Sequence, residues 1–130
     1  MFPDGTLEGI KVLAIDDHDD SREMLITLLV AHGAIARGAG SVSAALALLP
    51  AFHADVIVED LGLPGEDGYA LLSCLRRSPD AVIARTPVIA VSGNASIADR
   101  TQSAGAGFAG RISKPIDPPA LIAGIVGVVR

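Results

Sequence analysis

Five short apolar runs alternate strictly with five segments of helical pattern, and no other feature of this 130-residue chain restricts its fold so tightly. The runs are residues 11–15, 34–39, 55–60, 87–92 and 107–113; the helical patterns are 20–31, 43–49, 68–77, 97–104 and 118–129. Parallel strands cannot be joined by tight turns, so each needs a crossover, and a helix is the usual one. The alternation therefore predicts an α/β fold: an open, doubly wound, five-stranded parallel sheet with helices on both faces. Half of the residues are hydrophobic but only 3% are aromatic, so Ala, Val, Leu and Ile must fill the interior, as suits strands buried on both faces. The length is that of one domain. Residues 1–9, with Pro3, Gly5 and Gly9, are expected to form a flexible leader and 10–130 the domain. Asp20 and Glu23 have the spacing of a capping box for the first helix, and Gly33 of its stop. Pro118 suits the first turn of the last helix, where its missing N–H costs nothing.

Charge and composition exclude several functions. A formal charge of −5 argues against direct contact with nucleic acid, which needs clustered Lys and Arg against phosphates. The apolar run at 121–129 is far short of the ~20 residues that span a bilayer, so no membrane insertion is expected. The first apolar run is too short for a secretory signal. The single cysteine, Cys74, lies among Leu71, Leu72 and Leu75 and reads as a small buried or half-buried hydrophobe, which fits a reducing, cytoplasmic location.

Ligands of open parallel sheets gather at the carboxyl ends of the strands, which makes those ends informative. The first apolar run ends in Asp16 and Asp17, the third in Asp60, the fourth in Ser92 and the fifth in Lys114. An acid after a strand is usually a turn or cap residue. Here three carboxylates, a hydroxyl and an ammonium meet at one edge. The carboxylates repel one another unless a cation lies among them. Mg²⁺ suits oxygen ligands and keeps waters that phosphate oxygens can replace. With Mg²⁺ and Lys114 the formal charges cancel. An aspartate can then act as a nucleophile toward phosphorus while metal and ammonium offset charge on the phosphoryl oxygens.

Asp16-Asp17 after "KVLAI", Asp60 opening "DLGLPGEDGY", Ser92 closing "PVIAVS" and Lys114 in "SKP" together resemble the receiver domain of bacterial two-component response regulators. The resemblance extends over nearly the whole chain. It implies a flavodoxin-like sheet of order 2-1-3-4-5, with Asp60 as phosphoacceptor, Asp17 as a direct Mg²⁺ ligand and Asp16 as a ligand through water. It further implies that the Gly62 carbonyl binds the metal, that Lys114 holds the phosphoryl group and that Ser92 swings to meet it. Gly93 adds no side chain to block that approach. The implied donor is a phosphohistidine on a histidine kinase or histidine phosphotransfer protein. Such a chain is a signalling phosphoacceptor, not an enzyme acting on other substrates. Receivers often carry an aromatic residue where this chain has Arg111, which reads as a solvated strand residue.

Other features compete with this reading. "DHDDS" at 17–21 resembles the opening of haloacid-dehalogenase phosphatases, with Asp17 as nucleophile, but that leaves Asp60 and its turn unexplained. A receiver used only for binding would lack a site residue, and none is missing. "GAGFAG" at 105–110 matches a dinucleotide fingerprint in the wrong context, because a helix precedes it and a strand follows. His18 reads as a helix-start residue facing solvent, since Mg²⁺ does not favour imidazole. Leu25, Leu28 and Leu29 form the inward stripe of the first helix, with Ile26 and Val30 on its flank, facing the last helix. That last helix is apolar enough to suggest a homodimer through it.

Overall fold

The computed structural model describes residues 5–61, 70–93 and 107–129. Its elements are β1 (Lys11–Ile15), α1 (Asp19–Ala31), β2 (Ile35–Ala39), α2 (Val42–Phe52), β3 (Val56–Asp60), α3 (Ala70–Arg76), α4 (Ala81–Ala84), β4 (Val88–Ser92), β5 (Gly110–Ser113) and α5 (Pro118–Val129). All strand pairs are parallel, in the order β2-β1-β3-β4-β5. This is the doubly wound sheet that the alternation and the resemblance predict. Every residue of β3 and β4 is buried, as apolar strands require when helices cover both faces. The edge strand β2, "IARGA", alternates between exposed and half-buried positions until Ala39.

The period of two along each strand divides the interior. Leu13, Ile15, Ile57 and Val88 face one side, against Ala45 and Leu49 of α2 and Leu71 and Leu75 of α3. Val12, Ala14, Val56, Val58 and Val91 face the other, against Leu25 and Leu29 of α1 and Leu121, Ile122 and Ile125 of α5. Cys74 is half-buried in α3, as its leucine neighbours suggested. Val128 and Val129, at the end of the apolar α5, are half-buried against the second interior.

Local differences from the expected elements have physical causes. Leu7 is fully buried, its N–H donates to the His32 carbonyl at 2.8 Å, and Ile10 N–H donates back to Leu7 at 2.9 Å. Residues 5–9 are therefore docked turns and not a flexible leader; residues 1–4 lie outside the described residues. Gly33 has φ +96°, and a Cβ there would stand 3.0 Å from the Glu8 Cα, so this glycine both ends α1 and admits the docked segment. Asp20 does not cap α1: the helix begins at Asp19, with His18 at the cap position and no side-chain cap bond. The Asp16 carboxylate instead accepts the His18 N–H at 2.9 Å and starts the turn earlier. α2 is capped by Ser41 and runs through an exposed Pro50 to Phe52, where His53, at φ 52°, closes it. The short α4 was not anticipated; Asp80 caps it by accepting from the N–H groups of Val82 and Ile83. The expected helix at 97–104 lies outside the described residues, as does the start of the one at 68–77.

α1 crosses β2 closely. A Cβ on Gly38 would lie 2.8 Å from Ile26 Cδ1 and 2.9 Å from Arg22 Cδ, so Ile26 sits over β2, while Val30 is 52% exposed. In an open strand, Gly→Val is favoured by β propensity. Here Gly38→Val is expected to destabilise the fold by about 1–3 kcal/mol, the usual cost of overpacking. A denaturation midpoint at or above that of wild type would show that the Ile26 and Arg22 side chains swing aside at little cost.

Candidate functional site

The site residues are carried to one edge by the sheet's hydrogen-bond ladder, which continues past the strand ends. Asp16 N–H donates to the Ala39 carbonyl at 3.0 Å, Leu61 N–H to Val91 at 2.9 Å and Lys114 N–H to Ser92 at 2.9 Å. The register sets Asp60 beside Val91 and Ser92 beside Ser113. Asp16, Asp60 and Ser92 are all buried, while Asp17 is partly open.

Within this edge the Lys114 ammonium donates to Asp60 Oδ2 at 2.8 Å, and the Asp60 side chain is only 6% exposed. Asp16, Asp17, His18 and Asp60 each place one ligand atom within 4.8 Å of the others. Asp17 Oδ1 is buried and, among the described residues, receives no well-aligned hydrogen bond, though His18 Nδ1 stands 3.1 Å from it. A buried carboxylate oxygen without a donor is costly unless a cation meets it. One ammonium among three carboxylates leaves a net negative, oxygen-lined edge suited to a hard divalent cation.

Four of the sequence-predicted carboxylate and lysine positions, Asp16, Asp17, Asp60 and Lys114, are thus brought together, and Ser92 ends the neighbouring strand. Among the described residues, a Cβ on Gly93 would meet nothing within 4 Å. Gly62 lies outside the described residues. Arg111 is half-buried, not a solvated strand residue, and its Nη1 donates to Ser113 Oγ at 3.3 Å. Gly107, with φ +98°, leads through a turn into β5, so no helix follows the glycine-rich stretch and the dinucleotide reading has no support.

The fold adds two residues to this edge that the strand-end pattern does not mark. Arg22 donates from Nη1 to the Asp16 carbonyl at 2.8 Å and from Nη2 to Asp19 Oδ1 at 2.6 Å. It braces the backbone that presents Asp16, and only its i, i+3 spacing from Asp19 hinted at it. Glu59 is fully buried beside Asp60, in register with Ala90, which in turn pairs with Arg111. Its signal was an acid inside the otherwise apolar run "VIVED".

A flavodoxin-like sheet with acidic residues and a lysine at its carboxyl edge is the architecture of a signalling receiver. The profile of the response regulator receiver domain matches residues 12–126, and the chain belongs to that family. It is 33% identical over 117 residues to a 14.6 kDa protein of Leptolyngbya boryana, covering 90% of this chain and 88% of that protein. It is 28% identical over 109 residues to the sensor histidine kinase RcsC of Escherichia coli strain K12, covering 84% of this chain but 11% of the kinase. Among solved structures, the receiver domain of the Francisella response regulator 1452 superposes with a TM-score of 0.82 at 28% identity, over 93% of this chain and 97% of that one. The protein is therefore a receiver domain of two-component signal transduction. Among the described residues, no helix is long and apolar enough to cross a membrane.

Proposed function

We propose that Asp60 accepts a phosphoryl group from a phosphohistidine on a histidine kinase or histidine phosphotransfer protein in the cytoplasm. The observation that carries this reading is the Asp60–Lys114 contact of 2.8 Å beside the Asp16 and Asp17 carboxylates. Asp16, Asp17 and Asp60, with the Gly62 carbonyl, would hold Mg²⁺, and the unsatisfied Asp17 Oδ1 fits that demand. The ion supplies charge neutralisation for the phosphoryl oxygens when bound. An Asp60 carboxylate oxygen attacks phosphorus in line, the P–N bond breaks, and the imidazole leaves with a proton from solvent. Lys114 neutralises charge on the transferred group. Ser92 and Gly93 would face the arriving group, and Ser92 moving toward it would favour one of two conformations.

Incubation with acetyl phosphate tests the reading. Intact-mass spectra are expected to show one added phosphoryl group with Mg²⁺ and none after chelation. Uptake of equal extent in both samples would overturn the metal-dependent mechanism. The haloacid-dehalogenase alternative, with Asp17 as nucleophile, gives the buried Asp60 carboxylate and its contact with Lys114 no task.

A further inference from the structure

We infer that His18 is a metal-selectivity residue, a nitrogen ligand that lets the acidic edge take a divalent transition ion such as Zn²⁺ in competition with Mg²⁺. The inference rests on the proposed metal-binding role of Asp16, Asp17 and Asp60. His18 is 69% exposed in its side chain, yet its Nδ1 is turned back onto the edge, 3.1 Å from Asp17 Oδ1 and 3.4 Å from Asp16 Oδ1. Metal bonds of roughly 2.0–2.1 Å place adjacent ligand atoms about 3.0 Å apart in an octahedron and about 3.3 Å apart in a tetrahedron. The two observed spacings are those of a direct side-chain contact and are also close to such edges, so an ion could enter between ring and carboxylates with little movement. Asp17 Oδ1, one of the two atoms facing the ring, is also the buried oxygen that receives no well-aligned hydrogen bond among the described residues.

The backbone anchors the residue beside the edge. His18 precedes the first turn of α1 in an extended conformation, with φ −90° and ψ 119°. Its N–H is tied to Asp16 Oδ1, and its carbonyl accepts the Arg22 N–H at 2.9 Å. The imidazole thus comes from the same turn as two of the carboxylates, and little chain must be ordered to bring it in. Imidazole suits Zn²⁺ and Ni²⁺, whereas Mg²⁺ keeps to oxygen. One nitrogen among three carboxylates should leave Mg²⁺ affinity almost unchanged and raise Zn²⁺ affinity. Because both ions need the same carboxylates, they exclude each other.

The test is calorimetric titration of the whole chain with Mg²⁺ and with Zn²⁺, alongside NMR of the three histidine rings, for wild type, His18→Ala and Asp17→Asn. Loss of an outer partner of a metal ligand costs about 10–100-fold, so loss of a ligand should weaken Zn²⁺ binding at least about tenfold. In His18→Ala, Mg²⁺ affinity should stay within about twofold, because Mg²⁺ draws little on imidazole. In wild type, Zn²⁺ should shift the His18 ring nitrogen resonances by the large amount of direct ligation, and Mg²⁺ only by the small amount of a neighbouring charge. Zn²⁺ shifts confined to His32 or His53, or an unchanged Zn²⁺ affinity in His18→Ala while Asp17→Asn weakens both ions, would overturn the role of His18 alone. Unchanged binding of both ions in Asp17→Asn would overturn the metal site beneath it.

Discussion

Asp60→Asn is expected to take up no phosphoryl group from acetyl phosphate under conditions where wild type is modified. The substitution keeps the shape and leaves an amide oxygen for Lys114, whose Nζ lies 2.8 Å from Asp60 Oδ2. The fold should therefore survive. What disappears is the anionic oxygen that attacks phosphorus, together with one charge of the three that attract the metal. Asp17→Asn should act differently: the nucleophile remains, so uptake should become slow and respond weakly to Mg²⁺. Intact-mass spectra of the two variants separate the candidates, because a phosphatase-type reaction at Asp17 predicts the reverse pattern. Full uptake by Asp60→Asn would remove Asp60 from its assigned role.

Leu7→Ala is expected to lower stability by about 2–5 kcal/mol, the range for emptying a filled site in a core. Leu7 has no exposed surface and belongs to the interior formed with Val12, Leu29 and Leu121. Its N–H also secures the turn after α1 through the His32 carbonyl. The side chain thus helps fix the segment between α1 and β2. Urea denaturation followed by circular dichroism measures the loss. A shift no larger than that of an exposed substitution would restore the flexible leader expected from Pro3, Gly5 and Gly9.

That difference shows what a sequence of this kind makes legible. The strands were readable because long apolar runs must be buried, and the site was readable because its residues interrupt those runs. Asp16, Asp60, Ser92 and Lys114 all stand where a strand stops, so topology alone brings them together. Leu7 was hidden because the same glycines serve loose chain and tightly docked turns, and a single leucine carries no period. α4 spans one turn, too short to show a helical repeat, and is defined by the Asp80 cap. Arg111 and Glu59 were obscure for another reason: the depth of a charged side chain depends on neighbouring strands distant in sequence. His18 stands at the start of α1 with a largely exposed side chain, as expected, and only the folded turn reveals that its Nδ1 also lies 3.1 Å from Asp17 Oδ1.

The sheet's separation of two hydrophobic interiors has an evolutionary corollary. Among the described residues, the buried side chains under α1 and α5 form one cluster and those under α2 and α3 another, with the strands between them. A lineage can therefore refit one layer of helices, and with it one outer surface, while the opposite layer keeps its packing. The acidic edge is fixed to the strand ends shared by both layers, so refitting one layer need not disturb it.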